Sequence, residues 1–400
     1  STASDVSDLM AAAVDINQFG ENSFASIAAN GITISGTAID VTDLNLAISR
    51  SNTVSDNTVD VAFAEAQGTI TISGGNAAEF VTTLLGHETD NKIGGGGAGL
   101  TAVKLTVDTG DVTVDQANTL TATTSGEVTA TVSDGDVATL VGLEERANAK
   151  LTVTVTDNSA SAANLNTINA GTTVGVDIDA VATITSSALS DIVTLGGKIT
   201  GGTEIESTTA ISAITVSGAT IDFTTLDGEI NRFNGFRGEG QTTAFTLADT
   251  VTVTLGSADE ITAFLSDVDD NLISVSGAGQ DVTVSGVTIS HTTANSLNTA
   301  TGGTVTATIT NTTTVDQLKT LEGSNAYTIT IANTDADAKE STAAEFKLIN
   351  AATTVAIDAT NVTALAASTA SDLDDLMTAA VDTNQFGENS FASIAANGIT

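Results

Sequence analysis

Two hydrophobic periods take turns along the chain. Short runs in which apolar and hydroxyl residues alternate occur at Thr69–Ser73 (TITIS), Val103–Val107 (VKLTV), Val128–Ser133 (VTATVS), Leu151–Thr156 (LTVTVT), Val174–Ile178, Thr250–Leu255, Thr304–Thr310 and Tyr327–Ile331. A period of two in β-branched residues predicts strands. Strands covered on both faces would read as unbroken apolar runs, so here one face is expected in the core. The inward sets are Val128, Ala130 and Val132; Leu151, Val153 and Val155; Val251, Val253 and Leu255. The outward sets are threonines: Thr129 and Thr131, Thr152 and Thr154, Thr252 and Thr254, Thr306 and Thr308, Thr328 and Thr330.

Between strands the period lengthens to that of a helix. Ser257-Ala-Asp-Glu260 precedes Ile261, Phe264 and Leu265, a capping box ahead of an apolar stripe. Similar signals are Asp136 before Val137, Leu140 and Val141; Val315, Leu318 and Leu321 ending at Gly323; and Thr342-Ala-Ala-Glu345 before Phe346 and Ile349. The segments Asn76–Leu100 and Leu226–Gln241 fit this grammar least and are expected to be insertions or long loops.

Strand starts at Val128, Leu151 and Val174 follow one another at a constant interval of 23, and Thr304 and Tyr327 share that interval. Coils of about 22–26 residues predict a solenoid. Consecutive strands joined by a crossover must be parallel, and such crossovers are right-handed. The expected fold class is an α/β repeat, a right-handed solenoid of parallel strands with short helices; the alternatives are a largely all-β solenoid or a chain of small β-rich domains. Strands stack at about 4.8 Å whereas packed helices need roughly 8–10 Å, so a mixture of helical and non-helical connections is expected.

A longer repeat joins the two ends. Ser1–Thr33 and Ser368–Thr400 differ at four of 33 positions: Val6 against Leu373, Ser7 against Asp374, Ala11 against Thr378 and Ile16 against Thr383. The offset is 367 (368 − 1), so residues 1–367 are expected to be one tandem repeat and 368–400 the start of the next copy. No Pro-rich or Gly/Ser-rich spacer precedes that boundary, which carries Leu365, Leu373, Leu376 and Met377.

Composition narrows the function. The 49 acidic and 11 basic side chains give a net charge of −38, which argues against nucleic acid or an anionic membrane as partner. No apolar run approaches the roughly 18 residues of a membrane span. There is no Cys, Pro or Trp, which excludes disulfides, thiolate metal sites and cysteine nucleophiles. An acidic, Lys-poor surface stays soluble in a saline, extracellular setting where its self-repulsion is screened.

Enzyme chemistry finds little support, and the expectation is that the chain is not an enzyme and needs no cofactor. His87 and His291 lie far apart in the chain and read as surface or loop histidines. The cluster Gly94–Gly99 has no Lys-Ser/Thr behind it and reads as a connection. Arg232 and Arg237, with Phe233 and Phe236 beside them, form the one local arginine group and a candidate partner anchor, against the simpler reading of a structural ion pair. Calcium is the candidate ligand. Asp267, Asp269, Asp270 and Asn271 resemble the opening of a calcium loop, but Leu272 and Ala278 stand where Gly and Glu belong. Asp134 with Asp136, and Asp335 with Asp337, are shorter acidic turns of the same kind, for which helix capping is the competing reading.

The long tandem period, the Thr/Ala/Asp bias, the missing Cys and Pro, and strands such as VTATVSD and KLTVTVTD resemble the repeat regions of giant bacterial cell-surface and secreted proteins, of marine cyanobacterial or proteobacterial type. The resemblance lies in composition and repeat grammar. It implies export, an extracellular or cell-surface location, and a structural role in a filament, surface layer or matrix, with other copies of the chain as partners. The alternative is an adhesin or other binding surface, for glycans or ice, using the threonine faces.

Overall fold

The computed structural model describes residues 1–14, 31–55, 60–90, 92–93, 99–200, 204–206, 211–236, 242–248, 251–275, 279–332, 341–381, 385–387 and 390–391. The chain divides into two units, 1–183 with 194–210, and 184–193 with 211–400.

In the first unit seven strands form one sheet in the order Ala38–Asp40, Thr71–Gly75, Lys104–Val107, Val128–Thr131, Ala149–Thr154, Val176–Asp177 and Ile205–Glu206. In the second, Thr220–Asp222, Thr252–Leu255, Gln280–Ile289, Gly302–Ile309 and Ala326–Thr328 form another, and a further ladder joins Ala213–Ser217, Ala244–Leu247 and Ile273–Val275. Among the described residues these strand pairs are parallel, and within each sheet spatial order follows chain order. The protein is thus α/β with parallel sheets, and its helices set aside the largely all-β alternative.

The step between registered partners varies. Counted along the chain it is 33 at Ile39↔Ile72 and Ile72↔Leu105, 23 at Leu105↔Val128, 21 at Val128↔Ala149, 23 at Val153↔Val176 and 29 at Val176↔Ile205. In the second unit it is 32 at Ile221↔Val253, 29 at Val253↔Val282, 23 at Val282↔Val305 and 20 at Thr306↔Ala326. Much of this variation is helix length. Helices Val114–Thr123, Val137–Leu140 and Ala162–Ala170 have 10, 4 and 9 residues. His291–Thr301, Val315–Leu318 and Ala343–Ala351 have 11, 4 and 9. A single helical turn between two longer helices relieves the crowding that closely spaced strands impose.

The capping signals behave as their chemistry requires. Ser257 Oγ and Thr342 Oγ1 accept from the backbone N–H three residues on, Asp136 does so for Thr139, and Thr314 Oγ1, not among those signals, does so for Gln317. Segment 226–241 departs from the loop expectation. Helix Phe223–Phe236 occupies most of it, burying Phe223, Leu226, Ile230 and Phe233. Gly228 and Gly235 interrupt the propensity but lie off that stripe, and Asp222 caps the helix by accepting from Thr225 N at 3.0 Å. Segment 76–100 likewise contains a π-helical turn, Glu79–Leu84, running into Leu85–Thr89, opened by Asn76 Oδ1.

The inward strand sets named from the sequence are all buried. Gly126 marks how closely backbones approach: a Cβ there would collide with the carbonyls of Ala102 and Val103.

Candidate functional surface

The outward threonines line up across strands. Thr254, Thr283 and Thr306 are register partners, as are Thr288, Thr308 and Thr328, Thr106 and Thr129, and Thr131 and Thr152. The ranks are interrupted, because Thr129 stands opposite Lys150, Thr154 opposite Asp177, Thr252 opposite Asp281 and Thr306 opposite Ala326. The result is a hydroxyl-and-methyl surface with charges set into it, not a uniform threonine plane.

Other threonines have roles that the strand pattern does not reveal. At the turns that return a helix to a strand, buried Thr124, Thr172 and Thr353 donate their hydroxyls to Val103 O (2.6 Å), Leu151 O (2.7 Å) and Tyr327 O (2.7 Å) of the preceding coil. Each also accepts from the backbone N–H two residues on, at Gly126, Val174 and Val355. Their neighbours Ser125, Thr173 and Thr354 donate to Thr101 O, Ala149 O and Asn325 O. The dipeptides Thr-Ser and Thr-Thr at these turns are the sequence signal, legible once the partner is known to be one coil earlier.

The acidic turns resolve into different roles. Asp134 Oδ2 accepts from Val114 N at 2.7 Å, the first N–H of the helix in the previous coil, and Asp157 Oδ2 does the same for Val137 at 2.7 Å. Asp136 caps its own helix through Thr139 N and Thr139 Oγ1, both at 2.9 Å, and these bonds hold its carboxyl below the usual range. Each of these helices therefore has one carboxylate or hydroxyl of its own and one carboxylate from the next coil at its N-terminus. Asp267 lies buried in the last turn of helix Ala258–Asp269 with Oδ2 unpartnered, and burial, with Asp227 and Asp270 nearby, pushes it up to about 6. Asp269 is exposed, and Asp270 accepts weakly from Ser266 Oγ at 3.4 Å. Asp335 and Asp337 lie outside the described residues, and among the described residues no three His, Asp or Glu side chains converge on a metal-sized site.

The aromatic anchor is a structural pair on one side. Phe233 is fully buried, edge-to-face with Phe245 at 6.0 Å, while Phe236 is 39% exposed. Arg232 pairs with Glu229 at 3.3 Å and donates to Val193 O, and burial raises the Glu229 pKa despite that arginine. Arg237 lies outside the described residues. His87 sits half-buried in helix Leu85–Thr89, with its pKa lowered first by burial and then by Lys92; His291 opens helix His291–Thr301.

One open groove of about 720 Å³ lies at the C-terminal end of helix Val114–Thr123, lined among others by Thr121, Thr124, Ser125, Glu127, Glu145 and Arg146. The hydroxyls of Thr121, Thr124 and Ser125 donate to backbone carbonyls, so on this side the groove offers acceptors, together with the Arg146 guanidinium, itself paired with Glu144 at 2.5 Å. None of its lining residues is aromatic, so a sugar would lack a stacking platform there. Comparison with known proteins gives no matching family model, no matching curated protein and no matching solved structure.

Proposed function

We propose that the chain is a non-enzymatic structural module of a very large extracellular protein, its coils stacked as a right-handed solenoid into a filament, surface layer or matrix. The observation that carries this reading is the recurrence of segment 1–33 at 368–400. Helices Ala3–Val14 and Ala370–Val381 stand at corresponding positions, opened by corresponding caps. Asp5 N donates to Thr2 Oγ1 and Asp372 N to Thr369 Oγ1, both at 3.1 Å. A unit that re-opens with the same capped helix can be extended without a linker. Parallel ladders that rise in chain order within each unit support extension along one axis, and the right hand follows from the general rule for parallel crossovers.

In this reading the partners are copies of the same chain, and the high negative charge keeps the long assembly soluble. With registered partners 20 to 33 residues apart, about 27 on average, the 367-residue repeat holds about 14 coils, which stacked at about 4.8 Å would advance roughly 65 Å. Negative-stain images of the native protein are expected to show rods or fibres with such an axial spacing; compact particles overturn the reading.

A second reading, an adhesin or ice-binding surface, draws on the rank Thr288, Thr308 and Thr328 and on the open groove. Glycan arrays and ice-recrystallisation assays separate the two. A saturable ligand moves the assignment to a binding module, and the interrupted ranks favour inactivity in both assays.

A further inference from the structure

Leu9 is 39% exposed, yet Leu376, its counterpart in the second copy, is fully buried. On the opposite side of the same helix the relation reverses. Ala3, Val6, Ser7 and Met10 are buried, whereas Ala370 and Asp374 are exposed and Leu373 and Met377 only half-buried. Positions three and four apart share a helix face, so residues 3, 6, 7 and 10 form one side and residues 5, 8 and 9 the other. Each copy displays one half of a two-sided environment.

The partners of each half are known. Helix Ala3–Val14 packs its first side on helix Val41–Ser55, where Arg50 Nη1 donates to Ser7 O at 3.2 Å and Ser7 Oγ at 3.0 Å. Helix Ala370–Val381 packs its second side on helix Ala343–Ala351, where Lys347 Nζ reaches Asp372 at 3.1 Å and Asp375 at 2.6 Å. There Ser368 Oγ also accepts from Ala343 N at 2.9 Å, on the first N–H of the neighbouring helix. The residues equivalent to Ser368, Asp372, Asp375 and Leu376 are Ser1, Asp5, Asp8 and Leu9, unchanged between copies. Neither Asp5 nor Asp8 has a Lys or Arg partner among the described residues.

We propose that the face of helix Ala3–Val14 bearing Ser1, Asp5, Asp8 and Leu9 is the seat for helix Ala343–Ala351 of a neighbouring copy, with Lys347 between the two carboxylates and Leu9 covered. The occupant is fixed by identity, because the same four residues already hold that helix in the second copy. The other side repeats the logic. Ser7, which receives Arg50, is replaced by Asp374 in the second copy, so the open side of helix Ala370–Val381 offers a carboxylate to the Arg50 of the copy that follows. This inference rests on the array reading for the identity of the neighbour, and it adds which faces meet and through which charges.

The test is a two-copy chain, residues 1–367 followed directly by residues 1–400, so that the second helix Ala3–Val14 takes the place of Ala370–Val381. The absence of native cysteine allows one thiol to report. Leu9→Cys is placed in the single chain, in the first copy or in the second copy, and labelled with a small maleimide. The thiol is expected to react at the rate of an exposed group in the first two and at least about tenfold more slowly in the third, as for a site that must open before it reacts. Met10→Cys should be slow in all three. Lys347→Glu in the first copy should restore fast labelling of the Leu9→Cys thiol in the second, and Asp5→Lys with Asp8→Lys in the second copy should slow it again. Equal labelling of that thiol in both copies overturns the seat. Imaging of the same chain separates the two ideas: elongated particles with the thiol labelled equally would sink the seat and leave the array, while compact particles with the second-copy thiol protected would sink the array and leave the seat.

Discussion

The hydroxyl of Thr172 donates to the carbonyl oxygen of Leu151 at 2.7 Å while accepting from Val174 N at 3.2 Å. A residue that is buried and paired in both directions ties the end of one coil to the strand of the coil before it. Thr172→Val keeps the shape but removes this hydroxyl from the Leu151 carbonyl and from the N–H groups of Leu151 and Val174. It should cost about 1–3 kcal/mol, and Thr124→Val and Thr353→Val should cost the same order. Urea denaturation with unchanged m-value is the check; a cost under about 0.5 kcal/mol, the size of an ordinary surface change, would remove Thr172 from the framework.

The eight strands read from alternation, the helices capped by Ser257, Asp136 and Thr342, and the helix at Val315–Leu318 are legible in the sequence because their signals are local, whereas strands such as Ala213–Ser217, Ala244–Leu247 and Gln280–Ile289 are not named there. Alternation at Leu151–Thr156 and the Ser257/Glu260 spacing state their structure within a few residues. The threonine clamps are not legible, because a hydroxyl in a strand-rich chain says nothing of a carbonyl one coil away. Helix Phe223–Phe236 is hidden for the opposite reason: its glycines and asparagines argue locally against a helix that burial of Phe223, Leu226, Ile230 and Phe233 stabilises. At the candidate sites the same limit applies. Acidic turns are visible as clusters, but whether a carboxylate caps a helix or waits for a cation depends on which N–H the next coil brings to it.

Asp267 makes stability depend on pH in an unusual direction. Burial first, then Asp227 and Asp270, raises it to about 6 from an ordinary value of 3.8. The folded state therefore takes up this proton more readily than the unfolded chain, and stability should rise as pH falls from 7 through 6 towards 4. Asp267→Asn should stabilise the protein at pH 7 by on the order of 1 kcal/mol after solvent screening, and should remove that rise. Thermal melts of both proteins from pH 7.5 to 5 give the comparison. Parallel curves would show that Asp267 does not titrate in this window.

Phe233 and Phe236 share one helical turn and should respond very unequally to truncation. Phe233 is in the core against Phe245, so Phe233→Ala should cost about 3–5 kcal/mol. Phe236→Ala removes a side chain that is 39% exposed and should cost about 1 kcal/mol or less. If instead Phe236 anchors a partner, its truncation would leave melting unchanged and abolish binding in a glycan or surface-adhesion assay.

Calcium dependence follows from what the carboxylates already do. Asp134 and Asp157 each accept from the first N–H of a helix in the preceding coil, and Asp136 closes its own helix. Oxygens so engaged are poorly placed to converge on a cation, and a net charge of −38 responds to any salt by screening. Calcium chloride at millimolar concentration should therefore raise the melting temperature no more than sodium chloride of equal ionic strength, whereas occupied sites would add a shift that saturates. Asp134→Ala and Asp157→Ala should each cost about 1 kcal/mol with or without calcium, as for a missing helix cap. Asp267→Asn with Asp269→Asn tests the remaining described turn, because among the described residues of these turns Asp267 Oδ2 is the one buried carboxylate oxygen without a partner. A saturable calcium shift that this double substitution abolishes would place a cation there. A shift abolished only by Asp134→Ala would mean that the carboxylate leaves Val114 N for the metal.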